Sequence, residues 1–268
     1  MSGMLVLPAE SPLRRRLEDM AQSDRLVVFA GIPGAGKSFL LQQLALVAHR
    51  AGRRVHLFQW DVARSAFETP ALLSRYPERE GVTHPMIIQA VGRWIRAAIV
   101  AWHRAHPAPA HLLIGEAPLV GRRLIELAEP GAEPAESLLT APSSRFLVPV
   151  PSLAVRNAIE SRRRATSAAP RNDREAADAP PQVVRDSWNQ VLREGVAAGL
   201  IPAAAPGAGY DPGSYGAIYR HWLRHRQVEL LPLDDLLPSI GSVYEVGVIE
   251  GELRATHEEV TQIADSIR

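Results

Sequence analysis

Eight residues constrain this chain more than any others. Gly31-Ile-Pro-Gly-Ala-Gly-Lys-Ser38 lies between an apolar run, Leu26–Ala30, and a helix-periodic stretch, Lys37–Arg50. A strand that leaves through a glycine-rich turn into a helix must curl its backbone tightly, and glycine takes the required positive φ at little cost. Such a curl points successive N–H groups into one concavity, to which the following helix adds the positive end of its dipole. Both favour a multiply charged oxyanion. The spacing Gly31-x4-Gly36-Lys37-Ser38 adds a cation for the β- and γ-phosphates of a nucleoside triphosphate and a hydroxyl for Mg²⁺. The expected nucleotide-binding residues are Gly31, Pro33, Gly34, Ala35, Gly36, Lys37, Ser38 and Phe39.

Further apolar runs occur at Val55–Trp60, His111–Gly115, Phe146–Val150 and Val228–Leu233. They are short and nearly unalternated, as strands covered on both faces are. Between them lie helical patterns at Lys37–Arg50, Pro85–His103, Arg122–Ala128 and Val183–Ala197. Strands alternating with helices predict an α/β fold around a parallel sheet. In the second of these, Val91, Trp94, Ile95, Ala98, Ile99 and Trp102 form a core stripe at helical spacing. Thr256 and Glu259 form a capping box that predicts a C-terminal helix. Residues 1–23 read as an N-terminal helical extension, residues 24–234 as the core, and residues 235–268 as an extension packed on it.

The net charge is +1, so any polyanion must be bound locally rather than through a global field. There is no cysteine, which excludes disulfides, thiolate metal sites and cysteine nucleophiles. No stretch reaches the roughly 18 unbroken apolar residues of a membrane span, and no signal peptide is read, so a cytoplasmic address is expected.

In a parallel sheet, ligands gather at the carboxyl ends of the strands. Asp61, after the second run, is placed to take a proton from an acceptor hydroxyl, with Arg64 gripping an anionic group of the acceptor. Glu116 ends the third run, where an acid holds the water shell of Mg²⁺ beside Ser38. Ser161–Pro181 carries five arginines among small residues and prolines and reads as a mobile lid loop. Arg162, Arg163 and Arg164 are its candidate catalytic cations, with Arg171 and Arg174 able to share the task, because phosphoryl transfer needs charge neutralised on the equatorial oxygens. His221-x3-His225 has metal-ligand spacing on a helical pattern but no third ligand nearby, and "HPAPAH" at His106–His111 reads as a loop.

The order "GIPGAGKS", Asp61-x-x-Arg64, "LLIGEAPLVGRRLIELA" and "VPVPSLAVRNAIESRRR…APPQVVRDSW" resembles the small P-loop kinases that include polynucleotide 5′-hydroxyl kinase and the zeta-toxin-like kinases, over roughly residues 24–200. The resemblance implies a P-loop NTPase-type five-stranded parallel sheet ordered 2-3-1-4-5 with helices on both faces. It also implies a catalytic aspartate at Asp61, an acceptor-binding arginine at Arg64, and an arginine-bearing lid over about 155–182. Position 160 is glutamate where such kinases carry an arginine, which leaves Arg162, Arg163 and Arg164 as alternatives. The expected function is an ATP- and Mg²⁺-dependent phosphotransferase acting on a hydroxyl of a small molecule or a nucleic-acid 5′ end, with no membrane partner. The alternative is an NTP-binding switch or NTPase that changes the conformation of a partner.

Overall fold

The computed structural model describes residues 4–79, 82–168, 175, 181–202, 208–238, 242–243 and 246–266. The described strands are β1 (Leu26–Ala30), β2 (Arg54–Gln59), β3 (His111–Ala117), β4 (Ser144–Pro151), β5 (Val228–Leu233) and β6 (Ile249–Glu252). They form one sheet in the order β5-β4-β1-β3-β2-β6, and every neighbouring pair is parallel. The described α-helices are α1 (Pro12–Ser23), α2 (Lys37–Arg50), α3 (Trp60–Phe67), α4 (Pro70–Arg75), α5 (Pro85–Ala105), α6 (Ala135–Leu139), α7 (Leu153–Ala168), α8 (Pro181–Ala197), α9 (Pro212–Trp222) and α10 (His257–Ser266). The chain is thus an α/β fold with a parallel, multistranded sheet flanked by helices.

Four of the five unalternated runs became central strands because both faces are covered, while Val228–Leu233 forms the edge strand β5. Along β1, Leu26, Val28 and Ala30 join the core beneath α5 and α9, while Val27 and Phe29 join the core beneath α1 and α2. The α5 stripe from Val91 to Trp102 is buried as expected, each large apolar side chain there contributing about 1.5–3 kcal/mol. Gly115 in β3 leaves room for Phe58 of β2, its register partner. A Cβ there would lie 1.9 Å from Phe58 Cζ.

Four expectations are corrected. The sheet has six strands rather than five, because Ile249–Glu252 pairs with β2 and covers what would otherwise be an open edge. The Arg122–Ala128 pattern is not an α-helix but two short 3₁₀ turns, Val120–Arg122 and Ile125–Leu127, interrupted by positive φ at Arg122 and Leu124. Ser161–Ala168 continues α7 as helix instead of forming a loop, whereas Arg171 and Arg174 lie outside the described residues. Finally, α9 ends at Trp222, so His221 and His225 do not share a helix.

The capping box at α10 forms as read: Thr256 N–H donates to Glu259 Oε2 at 2.8 Å, and Glu259 N–H to Thr256 Oγ1 at 3.2 Å. None of the described helices is long and apolar enough to cross a membrane.

Candidate functional site

The crevice at the carboxyl ends of β1, β2 and β3 collects the predicted residues. β1 runs into the loop at Gly31, β2 runs directly into α3 with Asp61 in its first turn, and Glu116 is the penultimate residue of β3. β1 lies between β3 and β4, the point in the sheet from which successive connections diverge to either side.

Gly34 and Gly36 have φ of 79° and 91°, the left-handed conformation that the curl requires and that a side chain would oppose. Gly36 is the N-cap of α2 and offers no side chain to cap it, so the exposed amides of the first turn remain directed at the concavity. Lys37, only 5% exposed, donates from Nζ to the Ile32 carbonyl at 3.0 Å and pairs with Glu116 Oε1 at 3.3 Å. Burial lowers its pKa; Glu116 opposes the shift and the charge of Arg163 adds to it. On the other carboxylate oxygen, Ser38 Oγ donates to Glu116 Oε2 at 2.9 Å. Lysine, serine and glutamate therefore form one hydrogen-bonded unit that joins the start of α2 to the end of β3, a hydroxyl and a carboxylate side by side at a helix N-terminus. That donor set suits Mg²⁺, which takes hard oxygen ligands and keeps several waters.

Asp61 and Arg64 sit one turn apart on α3, with Arg64 Nε 3.9 Å from Asp61 Oδ1. Arg64 is held from behind by an ion pair to Glu68 on the same helix. The protein packed around the crevice raises the Asp61 carboxyl pKa and the Glu116 charge raises it further, while Arg64, Lys37 and Arg123 pull it down. The Asp61 side chain is nonetheless 83% exposed, so water screens these influences. A carboxyl group open to solvent, with the charges of Arg64, Lys37 and Arg123 acting on it, is able to take up and release a proton.

Of the three candidate lid arginines, the structure distinguishes one. Arg162 is exposed and donates to the Leu237 carbonyl at 3.0 Å, and Arg164 is also exposed. Arg163 is half-buried and is the one whose charge acts on Lys37. α7 and α8 close over the loop: a Cβ on Gly34 would lie 3.6 Å from Val184 Cγ1 and 3.9 Å from Glu160 Cγ. Arg156 braces this roof, paired with Glu160 at 2.9 Å and stacked over the Tyr210 ring at 4.6 Å.

Sequence reading missed two residues here. Tyr215 of α9 is fully buried, and its Oη lies 2.5 Å from where a Gly31 Cβ would stand, so Gly31 is also required for close approach to this ring. Arg123 lies where its charge acts on Asp61, on the strained segment after β3: Leu119, Arg122 and Leu124 have φ near 60° without being glycine. Such outliers persist only where surrounding packing over-determines them, and they gather at working sites. Pro118 and Gly121 were the only sequence signals that this stretch is not a helix.

No family model matches the chain, and neither a curated protein nor a solved structure does so.

Proposed function

We propose that the protein is an ATP-dependent phosphotransferase of the P-loop kinase type, moving the γ-phosphoryl group to a hydroxyl of an anionic acceptor. The observation that carries this reading is the convergence on one crevice of the Lys37–Glu116–Ser38 unit and the Asp61–Arg64 pair. The strand order β2-β3-β1-β4-β5, with β6 added outside β2, agrees with the P-loop arrangement. The α7–α8 roof takes the part of the lid.

The loop amides and the α2 N-terminus cradle the phosphates. Lys37 Nζ exchanges the Ile32 carbonyl and Glu116 for β- and γ-phosphate oxygens. Ser38 and Glu116 would hold Mg²⁺, which would supply positive charge against the negative charge of the triphosphate. Asp61 accepts the proton of the acceptor hydroxyl as that oxygen bonds to the γ-phosphorus and the bond to the β-phosphate oxygen breaks, leaving ADP. Arg163 spreads the charge of the transferring group.

Arg64 and Arg123 both flank Asp61, and two cations beside the proton acceptor favour a phosphate- or carboxylate-bearing acceptor over a neutral one.

A screen with γ-labelled ATP and Mg²⁺ tests the reading. Pools of nucleotides, sugar phosphates, hydroxy acids, neutral sugars and oligonucleotides with 5′-hydroxyls are compared with hydrolysis in the absence of acceptor. Label is expected on an anionic pool, above that baseline. Hydrolysis with no labelled acceptor in any pool would favour the switch or NTPase.

A further inference from the structure

The opposite end of the sheet holds a second cluster of chemistry-bearing side chains. His56 lies in β2, His106 caps the C-terminus of α5, and His111 is the first residue of β3. Each offers a ring nitrogen, and these three atoms all lie within 4.8 Å of one another. His56 Nε2 and His111 Nδ1 are 3.0 Å apart, while the His106 ring stacks on His111 with centroids 4.5 Å apart. β3 runs from His111 to the Glu116–Ala117 end in the crevice, so the histidines and the phosphate loop occupy opposite ends of the strands.

Chance does not hold this arrangement together. The "HPAPAH" loop is pinned from outside by two arginines through its own carbonyls. Arg25 donates to His106 O and Ala108 O, and its guanidinium lies 5.2 Å over the Trp102 ring. Arg53 donates to Ala110 O at 3.3 Å and His111 O at 3.1 Å. The loop backbone is thus fixed, and the freedom that remains lies in the imidazole rings. Pre-organised ligands on braced backbone are what a metal site requires.

We propose that His56, His106 and His111 bind a zinc-type divalent cation, joining the C-terminal end of α5 to the amino-terminal ends of β2 and β3. Three nitrogens about 2.0–2.1 Å from a tetrahedral zinc stand about 3.3 Å apart, so no pair here has to close by more than about 1.5 Å. Ring rotations that unstack His106 from His111 accomplish that. All three donors are imidazoles, which suits zinc, nickel or copper and disfavours Mg²⁺ and Ca²⁺, the seekers of oxygen. His106 and His111 are half-exposed, which leaves an entry path and a fourth position for water. The Glu250 charge reaches His56 and His111 and favours a bound cation; Arg25, which reaches both, and Arg54, which reaches His111, oppose it. The site is therefore suited to a cation held by coordination and not by field.

The test uses the full chain without a histidine tag, treated with chelator, then titrated calorimetrically with Zn²⁺ and followed by thermal unfolding. One Zn²⁺ per chain is expected, with a raised Tm that Mg²⁺ does not reproduce. His106→Ala and, separately, His111→Gln should weaken Zn²⁺ binding by at least about 10–100-fold. A chain carrying both His221→Ala and His225→Ala should bind as wild type. Zn²⁺ binding unchanged in the cluster variants, or absent from the wild type, overturns the proposal. Co²⁺ added to the wild-type chain supplies a reading that needs no variant. Visible absorption that Zn²⁺ displaces stoichiometrically is expected, and no displaceable signal overturns the site.

Discussion

Arg163 and its neighbours show how much one helical position decides. Successive residues on α7 point about 100° apart, so three adjacent arginines meet different surroundings. Arg163 is half-buried with its charge felt by Lys37, while Arg162 is spent on the Leu237 carbonyl. Arg163→Ala should lower the single-turnover transfer rate by about 10³-fold, the lower end of the range for an inserted arginine. Arg162→Ala and Arg164→Ala should cost less than about tenfold in the same assay, and equal losses in all three would remove the distinction. Asp61 carries a second prediction at this scale. The surrounding protein and the Glu116 charge raise its pKa, and the proposed transfer needs its ionised form. The acid limb of kcat/KM should therefore fall at a pH above the ordinary aspartate value, activity being present above it and lost below it. A profile flat down to that ordinary value would count against Asp61 as proton acceptor. The positions of the loop, Asp61, Arg64 and Glu116 were legible in the sequence because they follow from the strand ends. Arg123 and Tyr215 were not, since one depends on positive φ at ordinary residues and the other on which helix lies beneath Gly31.

At the scale of elements, a buried ion network ties α5 and α6 to the segment before β5. Arg226, its side chain fully buried, donates to both Glu136 oxygens at 2.7 and 3.0 Å and to the Leu127 and Glu129 carbonyls at 2.7 Å each. Arg96 of α5 donates to Glu136 Oε2 at 2.9 Å. Burial pushes the Glu136 carboxyl up, but the hydrogen bonds from Arg226 and Arg96 outweigh it and hold the pKa at about 2, against 4.5 for a free glutamate. The stabilisation is thus complete above pH 4.5 and is lost as pH falls towards 2. Glu136→Gln should cost about 3 kcal/mol at neutral pH, because the buried Arg226 loses its counter-charge and Arg96 keeps only its ion pair with Glu133. Urea unfolding of both proteins across acid pH checks this: the gap between them should narrow below pH 4.5. A gap independent of pH would mean that packing, and not charge, is what the substitution removes. Two of the elements that escaped sequence reading, the end of α7 and β6, bury little. Ser161–Ala168 has no apolar stripe, yet arginine and alanine are strong helix formers and simply extend α7. β6 reads Ile-Glu-Gly-Glu, too polar for a central strand, and an edge position asks for nothing more apolar.

For the whole molecule, the C-terminal extension is structural. β6 covers β2, Leu253 N–H donates to the Leu57 carbonyl at 2.8 Å, and α10 packs on α5 and α3 with Val260 buried in the main core. A chain ending at Leu233 would bare the β2 edge and the outer face of α5. It should aggregate or lose its cooperative thermal transition; a soluble fragment with a sharp transition would show the extension to be dispensable. Both core layers meet at β1, so the crevice residues are held by the sheet itself, and substitutions within the crevice should leave the fold intact. That makes one comparison decisive for the account. Asp61→Asn keeps the shape of the side chain and removes the proposed proton acceptor, while the proposed triphosphate site is made by the loop and Lys37. Phosphoryl transfer to the acceptor, measured with the ATP Kd on the same samples, should fall by about 10²–10⁴-fold with ATP affinity altered by less than about threefold. ATP hydrolysis at the wild-type rate in Asp61→Asn, with no acceptor labelled by either protein, would contradict the kinase.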